Sequence, residues 1–93
     1  MILAIDIGNT NIVIGCIEGD RISFVERLYT DVKKTELEYA ISVKNVLEIY
    51  NIDRTQLKGG IISSVVPPVT DTVRHAAEKV IGKTLSIDDA KQQ

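Results

Sequence analysis

The first 29 residues carry three short β-type runs joined by turns too short to hold a helix, and this narrows the possible folds more than any other feature. Met1 to Ile7 is isoleucine-rich and reads as a buried strand. Gly8-Asn9-Thr10-Asn11 is turn chemistry, since glycine and asparagine tolerate the positive φ angles of tight turns. Ile12, Val13, Ile14, Cys16 and Ile17 make a second strand, and Gly19-Asp20 is a two-residue hairpin loop. Arg21 to Tyr29 is a third strand, with Ile22, Phe24 and Leu28 on one face and Ser23, Val25, Arg27 and Tyr29 on the other. Strands joined this closely run antiparallel, so a meander is expected.

The pattern then changes period. Thr35 and Glu38 have the spacing of a capping box, and Ala40, Val43, Leu47 and Tyr50 follow on one helical face with Val46 beside them. The spacing predicts a helix over 36–50. Lys58-Gly59-Gly60 reads as a break. Ile61 to Val66 is short, β-branched and uncharged, as in a strand buried on both faces. Pro67-Pro68 ends it and opens a second helix, carried by Val69, Val73, Ala76, Ala77, Val80 and Ile81 and closed by Gly82. Thr84 to Ile87 supplies a last strand. The order β-β-β-α-β-α-β, an antiparallel ribbon continued by parallel crossovers, is the ribonuclease-H-like or actin-like α/β arrangement with a mixed sheet. Residues 1–87 are expected to form one domain of this kind, and 88–93 a frayed polar tail.

Composition excludes several functions. With 93 residues the chain holds one domain and one modest core. Its net charge of −2 and only four aromatic residues argue against nucleic acid as a partner. No apolar run is long enough to span a bilayer, and Met1 to Ile7, interrupted by Asp6, lacks the basic leader of a signal peptide. A cytoplasmic protein with no membrane partner is expected. The single cysteine, Cys16, permits no internal disulfide and no cysteine-based zinc site.

The segment most able to carry chemistry is Asp6-Ile7-Gly8-Asn9-Thr10-Asn11-Ile12-Val13. A carboxylate ends a buried strand, where a charge is costly unless it is paired, hydrogen-bonded or metal-bound. The strand end offers Asp6 an exit into a cleft. The turn after it offers backbone N–H groups and the Asn9, Thr10 and Asn11 side chains to phosphate oxygens. Asp6 can hold a hydrated Mg²⁺ beside them, and Gly8 lets the backbone approach a ligand. The same residues also suit a plain hairpin in which Asp6 and the asparagines only close an Asx turn. The segment is neither a Walker A loop nor a dinucleotide fingerprint, because the lysine and the glycine spacing are absent.

Asp6-x-Gly8-Asn9-Thr10, a glycine five residues later at Gly15, and Ser63-Ser64-Val65-Val66-Pro67 together resemble the type III pantothenate kinases over roughly the first 85 residues. The resemblance implies transfer of the γ-phosphoryl group of ATP to pantothenate, the first step of coenzyme A synthesis. It implies a cytoplasmic homodimer that uses ATP, Mg²⁺ or another divalent cation, and a monovalent cation such as K⁺. The family's nucleotide-binding stretch carries over onto Asp6, Ile7, Gly8, Asn9, Thr10, Asn11, Ile12 and Val13, with Asp6 at the metal. Ser64 or the Pro67 turn borders the ligand on this reading, while Val65 and Val66 pack. The family's Gly-Ala-Asp-Arg motif, with its catalytic aspartate, has no match here, and its potassium-binding aspartate lies beyond the matched region. Hence no catalytic residue is assigned, and the chain looks like a first, ATP-binding half with little activity of its own. The second reading is non-catalytic: a binding or dimerisation module, or an accessory factor in transcription as described for relatives of this family.

Other residues have plainer roles. Cys16 alternates with Ile12 and Ile14 and belongs in the core. His75 lies among Asp71, Glu78 and Lys79 on a polar helix face, and Thr70-Asp71-Thr72 reads as helix-start chemistry. A nuclease is disfavoured because Ile61 to Val66 holds no second acid to partner Asp6.

Overall fold

The computed structural model describes residues 1–88. Five strands and two helices follow in the order β1 (Ile2–Ile7), β2 (Asn11–Glu18), β3 (Arg21–Tyr29), α1 (Glu36–Ile49), β4 (Gly59–Ser64), α2 (Pro67–Ile81) and β5 (Leu85–Asp88), with one 3-10 turn at Arg54–Gln56. The sheet order is β3-β2-β1-β4-β5. β1, β2 and β3 pair antiparallel, and β4 lies parallel to both β1 and β5. The meander and the parallel continuation are as the sequence predicts.

Local chemistry explains most boundaries. Thr35 caps α1 through a reciprocal box: its hydroxyl accepts from Glu38 N–H, and the Glu38 carboxylate accepts from Thr35 N–H. Pro67 and Pro68 occupy the first turn of α2, and Gly82 ends it in the left-handed region at φ 70°. Gly19, at φ 61°, opens the two-residue loop between β2 and β3. Tyr50 is the C-cap of α1, and its ring stacks on Phe24 with centroids 4.4 Å apart.

Both helices pack on one face of the sheet. That face contributes Leu3, Ile5, Ile7, Ile12, Ile14, Cys16, Phe24, Ile62 and Leu85 to the core, and the helices add Tyr39, Val43, Leu47, Val69, Val73 and Ala77. Leu57 closes one end. Among the described residues no element covers the opposite face, where Ile2, Ile17, Ile22, Val25 and Ile61 stay exposed. No helix among them is long and apolar enough to cross a membrane.

Several expectations need correction. The fourth strand runs Gly59–Ser64, not from Ile61 to Val66. The glycines read as a break, yet they begin the strand: a Cβ on Gly60 would sit 2.6 Å from the Leu3 carbonyl oxygen and 2.9 Å from Leu85, so only glycine fits between β1 and β5. Nor is this strand buried on both faces, since Ile61 is 40% exposed on the uncovered side. Ile22 does not share a face with Phe24. The β2–β3 register shifts at Cys16/Ile17, pairing Cys16 with Phe24 but Ile17 with Ile22, and the extra residue turns Ile22 outward to 65% exposure. Leu85–Asp88 includes Asp88 in the last strand, and the remainder of the expected tail, 89–93, lies outside the described residues.

Candidate functional site

Register places side chains in rows across the uncovered face. Asp6 pairs with Val13 on one side and with Ser63 on the other; Val13 then pairs with Arg27, and Ser63 with Asp88. One row therefore reads Arg27, Val13, Asp6, Ser63, Asp88, and paired residues share a face. Asp6 is exposed while its neighbours Ile5 and Ile7 are buried beneath the sheet. The strand does give the carboxylate an exit, as alternation requires of a strand covered on one side. Asp6, Ser63 and Asp88 form one end of a depression of about 230 Å³. Its floor and far wall are apolar, including Ala4, Gly15, Val25 and Ile61.

Ser63 is the serine on the row of Asp6. Its Oγ is buried without a hydrogen-bond partner among the described residues. Ser64 is spent on the fold instead: its Oγ accepts from Val66 N–H at 3.0 Å and from the Thr70 hydroxyl at 2.7 Å. Ser64 thus lies on the face opposite Asp6, with its hydroxyl held by α2, and Ser63, one residue earlier, lies on the face of Asp6. The Pro67 turn offers no N–H to an anion, because both first residues of α2 are prolines. Val66 packs against the core as expected, but Val65 is 50% exposed; its N–H extends the β1 pairing to the Ile7 carbonyl.

The β1–β2 turn is built tightly. Gly8 N–H donates to the Asn11 carbonyl at 2.9 Å, and a Cβ on Gly8 would crowd that oxygen at 3.3 Å. Asn51 is the one non-glycine with positive φ among the described residues, and Gly8 is not among the glycines that adopt it. The turn thus needs glycine for space, not for a left-handed backbone. Gly8 N–H is consumed, so the turn's remaining donors are the N–H groups of Asn9 and Thr10, which make no hydrogen bond among the described residues. Both residues are exposed. Two consecutive unpaired amides at a strand end, beside a carboxylate, suit a phosphate with its cation. The side chains of Ile7 and Ile12 are buried and anchor the turn from below. Asn11 and Val13 are half-buried in β2, Asn11 opposite Tyr29 and Val13 between Asp6 and Arg27.

No group of three or more His, Cys, Asp or Glu side chains clusters as a metal cage among the described residues. Magnesium does not require one, since it binds through one or two carboxylates, water and substrate phosphates. Cys16 is wholly buried, and desolvation raises its thiol to about 11, which keeps it protonated at neutral pH. His75 is exposed and lies 3.9 Å from Glu36, whose carboxyl is held below its ordinary value chiefly by the Lys79 ammonium at 2.6 Å. That cluster joins the two helices on the covered side of the sheet. Sequence reasoning did not place Ser63 and Asp88 beside Asp6, because rows depend on strand register, which no single segment reveals.

Comparison with known proteins agrees with this architecture. The family model described as type III pantothenate kinase matches residues 2–93. A type III pantothenate kinase of Finegoldia magna is 42% identical over 91 residues, covering 98% of this chain and 35% of that protein. Those of Brevibacillus brevis and an Exiguobacterium species are 46% and 49% identical, covering 89% and 85% of this chain and 31% of each relative. The chain thus spans about a third of the length of these relatives. Among solved structures, a ROK hexokinase from Thermus thermophilus superposes with a TM-score of 0.67 at 16% identity, over 94% of this chain and 32% of that one. The RuvC of Thermus thermophilus gives 0.60 at 20% identity, over 92% of this chain and 59% of that one. Both likenesses concern the fold, which is the actin-like, ribonuclease-H-like one.

Proposed function

The chain belongs to the type III pantothenate kinase family, and from that premise we propose that it is the ATP-binding part of an enzyme that phosphorylates pantothenate for coenzyme A synthesis. The observation that carries this reading is the unpaired amide pair of Asn9 and Thr10 at the end of β1, beside the exposed Asp6. Phosphoryl transfer is mostly positioning and charge stabilisation, so a phosphate cradle is the part such a chain must supply.

Asp6 would hold the divalent cation, with the orphaned Ser63 Oγ as a neutral oxygen next to it on the same row. The donor set fits magnesium: hard oxygen ligands, few of them, and room for water. When bound, the cation neutralises charge on the β- and γ-phosphates. Asn9 and Thr10 would donate to phosphate oxygens, Gly8 keeps space for close approach, and Asn11 closes the turn through its carbonyl. Ile7, Ile12 and Val13 fix the strands that aim it.

Transfer also requires pantothenate and a group to accept its proton, and no residue of this chain is assigned to either. No residue of this chain is assigned to the K⁺ site that the family resemblance implies. We therefore expect residues 1–93 to bind Mg–ATP weakly and to phosphorylate no pantothenate. Calorimetric titration with ATP and Mg²⁺, paired with a pantothenate phosphorylation assay on the same protein, tests both statements. Binding weakened at least tenfold in Asp6→Asn supports the site, whereas equal binding by both proteins, or normal turnover by the wild-type chain, overturns the reading. The exposed apolar sheet face favours one second reading, a non-catalytic dimerisation or accessory module.

A further inference from the structure

The segment after β3 folds back over the β1–β2 turn and touches it through one residue. Thr30 N–H donates to the Thr10 carbonyl at 2.9 Å, and Thr30 Oγ1 donates to the Gly8 carbonyl at 2.7 Å. The two carbonyls flank Asn9, so a single threonine clamps the turn on both sides of it. Thr30 is itself held. The hydroxyl of Tyr39, a residue only 1% exposed in α1, donates to the Asp31 carbonyl and accepts from Asp31 N–H, both at 2.8 Å. Lys34 lies over the same ring at 5.5 Å. Hydrogen bonds from the buried face of α1 thus hold Asp31 through Tyr39, and the peptide bond between Asp31 and Thr30 carries that anchoring to the turn.

The geometry of the peptide unit gives this clamp a consequence. A trans peptide is planar, and its N–H points opposite to its C=O. Holding the Gly8 carbonyl toward Thr30 therefore fixes the Asn9 N–H in the opposite direction. Gly8 has no Cβ to resist rotation of that plane, so the unclamped peptide can turn over and present a carbonyl oxygen where a donor is needed. An oxygen there repels a phosphate that the amide would attract.

We propose that Thr30 is a positioning residue for the phosphate turn: through the Gly8 carbonyl it orients the Asn9 amide toward an anionic phosphate ligand without touching that ligand. The inference rests on the reading of the turn as a phosphate cradle. A donor fixed before binding loses no orientational freedom on binding, so the clamp acts on affinity.

The test compares the wild-type chain with Thr30→Val, which keeps shape and loses the hydroxyl, and Thr30→Ser, which restores it. Mg–ATP affinity is measured by calorimetry, and the backbone amides of Asn9 and Thr10 are followed by NMR. We expect Thr30→Val to bind at least tenfold more weakly, with the Asn9 amide signal moved and the core amides unmoved. Thr30→Ser should stay within about threefold of wild type. Wild-type affinity in Thr30→Val, or an unmoved Asn9 amide, overturns the inference while leaving the cradle standing. No Mg–ATP binding by the wild-type chain overturns the cradle itself. If Thr30→Val fails to fold, Thr30→Ala against Thr30→Ser makes the same comparison, and equal affinity in those two overturns the inference.

Discussion

Single residues decide the chemistry of this fold by which side of the sheet they occupy. Cys16 and Asp6 show the two extremes. Cys16 faces the helices, wholly buried, and burial raises its thiol to about 11. A raised value means that the reactive thiolate is scarce at any pH below it. At pH 8 the folded chain should therefore resist iodoacetamide, and the same chain in strong denaturant should be alkylated at the ordinary rate of a free thiol. Mass spectrometry of the two samples checks this, and rapid modification of the native chain would show that β2 opens readily. Asp6, on the other face, could be singled out from sequence as a candidate because a carboxylate ending an isoleucine-rich strand is costly unless it is paired, hydrogen-bonded or metal-bound. Its neighbours on the row could not. Ser63 and Ser64 are indistinguishable until the strand is known to begin at Gly59, which sets Ser63 on the face of Asp6 and Ser64 on the face of Ile7. Thr30 was invisible for a related reason: its partners lie 20 or more residues earlier in the chain, and no local pattern marks them.

Elements were read more fully than sites, because caps and periodicity are local. The box at Thr35 and Glu38, the two prolines opening α2 and the glycine closing it all formed as their spacing predicted. The failures were those in which tertiary contact overrides propensity. Gly59 and Gly60 look like punctuation but are strand residues; at Gly60 Leu3 and Leu85 leave no space for a Cβ, and at Gly59 one would crowd the Thr84 carbonyl at 3.3 Å. The bulge at Cys16/Ile17 moved Ile22 to the other face without any signal in the alternation of β3. The capping box allows a quantitative test. Thr35→Ala removes the hydroxyl that accepts from Glu38 N–H, which should cost about 1 kcal/mol and lower Tm by about 5 °C. Thermal unfolding followed by circular dichroism measures it. The bonds from Thr35 N–H and then its hydroxyl hold the Glu38 carboxyl below its ordinary value. A depressed carboxylate stabilises the fold above its unfolded value and loses that contribution as pH falls through the folded one. The difference between wild type and Thr35→Ala should therefore be widest near neutrality and shrink as pH drops below the ordinary 4.5. A constant difference at every pH would show that the box contributes only through the N–H of Glu38.

At the scale of the whole molecule the dominant fact is asymmetry. Both helices cover one face of the sheet, and the other presents Ile2, Ile17, Ile22, Val25 and Ile61 around the depression that ends at Asp6. The sequence suggested a strand buried on both sides, and Ile61 does have the composition for it; within residues 1–88 only one side is filled. Exposed apolar patches of contiguous large residues are uncommon on proteins that work as isolated monomers. At 93 residues the chain also has little stability to spare, so surface that can be removed from water has a large effect on its state. Measured alone, the chain should self-associate through this face, its sedimentation mass rising with concentration across the micromolar range. Two lysines placed there, Ile22→Lys with Val25→Lys, should hold it monomeric at the same concentrations. Both positions are exposed on β3, an edge strand, so the pair should cost little of the fold while charging the patch. A double variant that associates as strongly as wild type would place the contact elsewhere, on the helices or the strand edges. A variant that becomes monomeric yet keeps Mg–ATP affinity would separate the two uses of one face: a phosphate site at the Asp6 end, and an apolar docking surface over the rest.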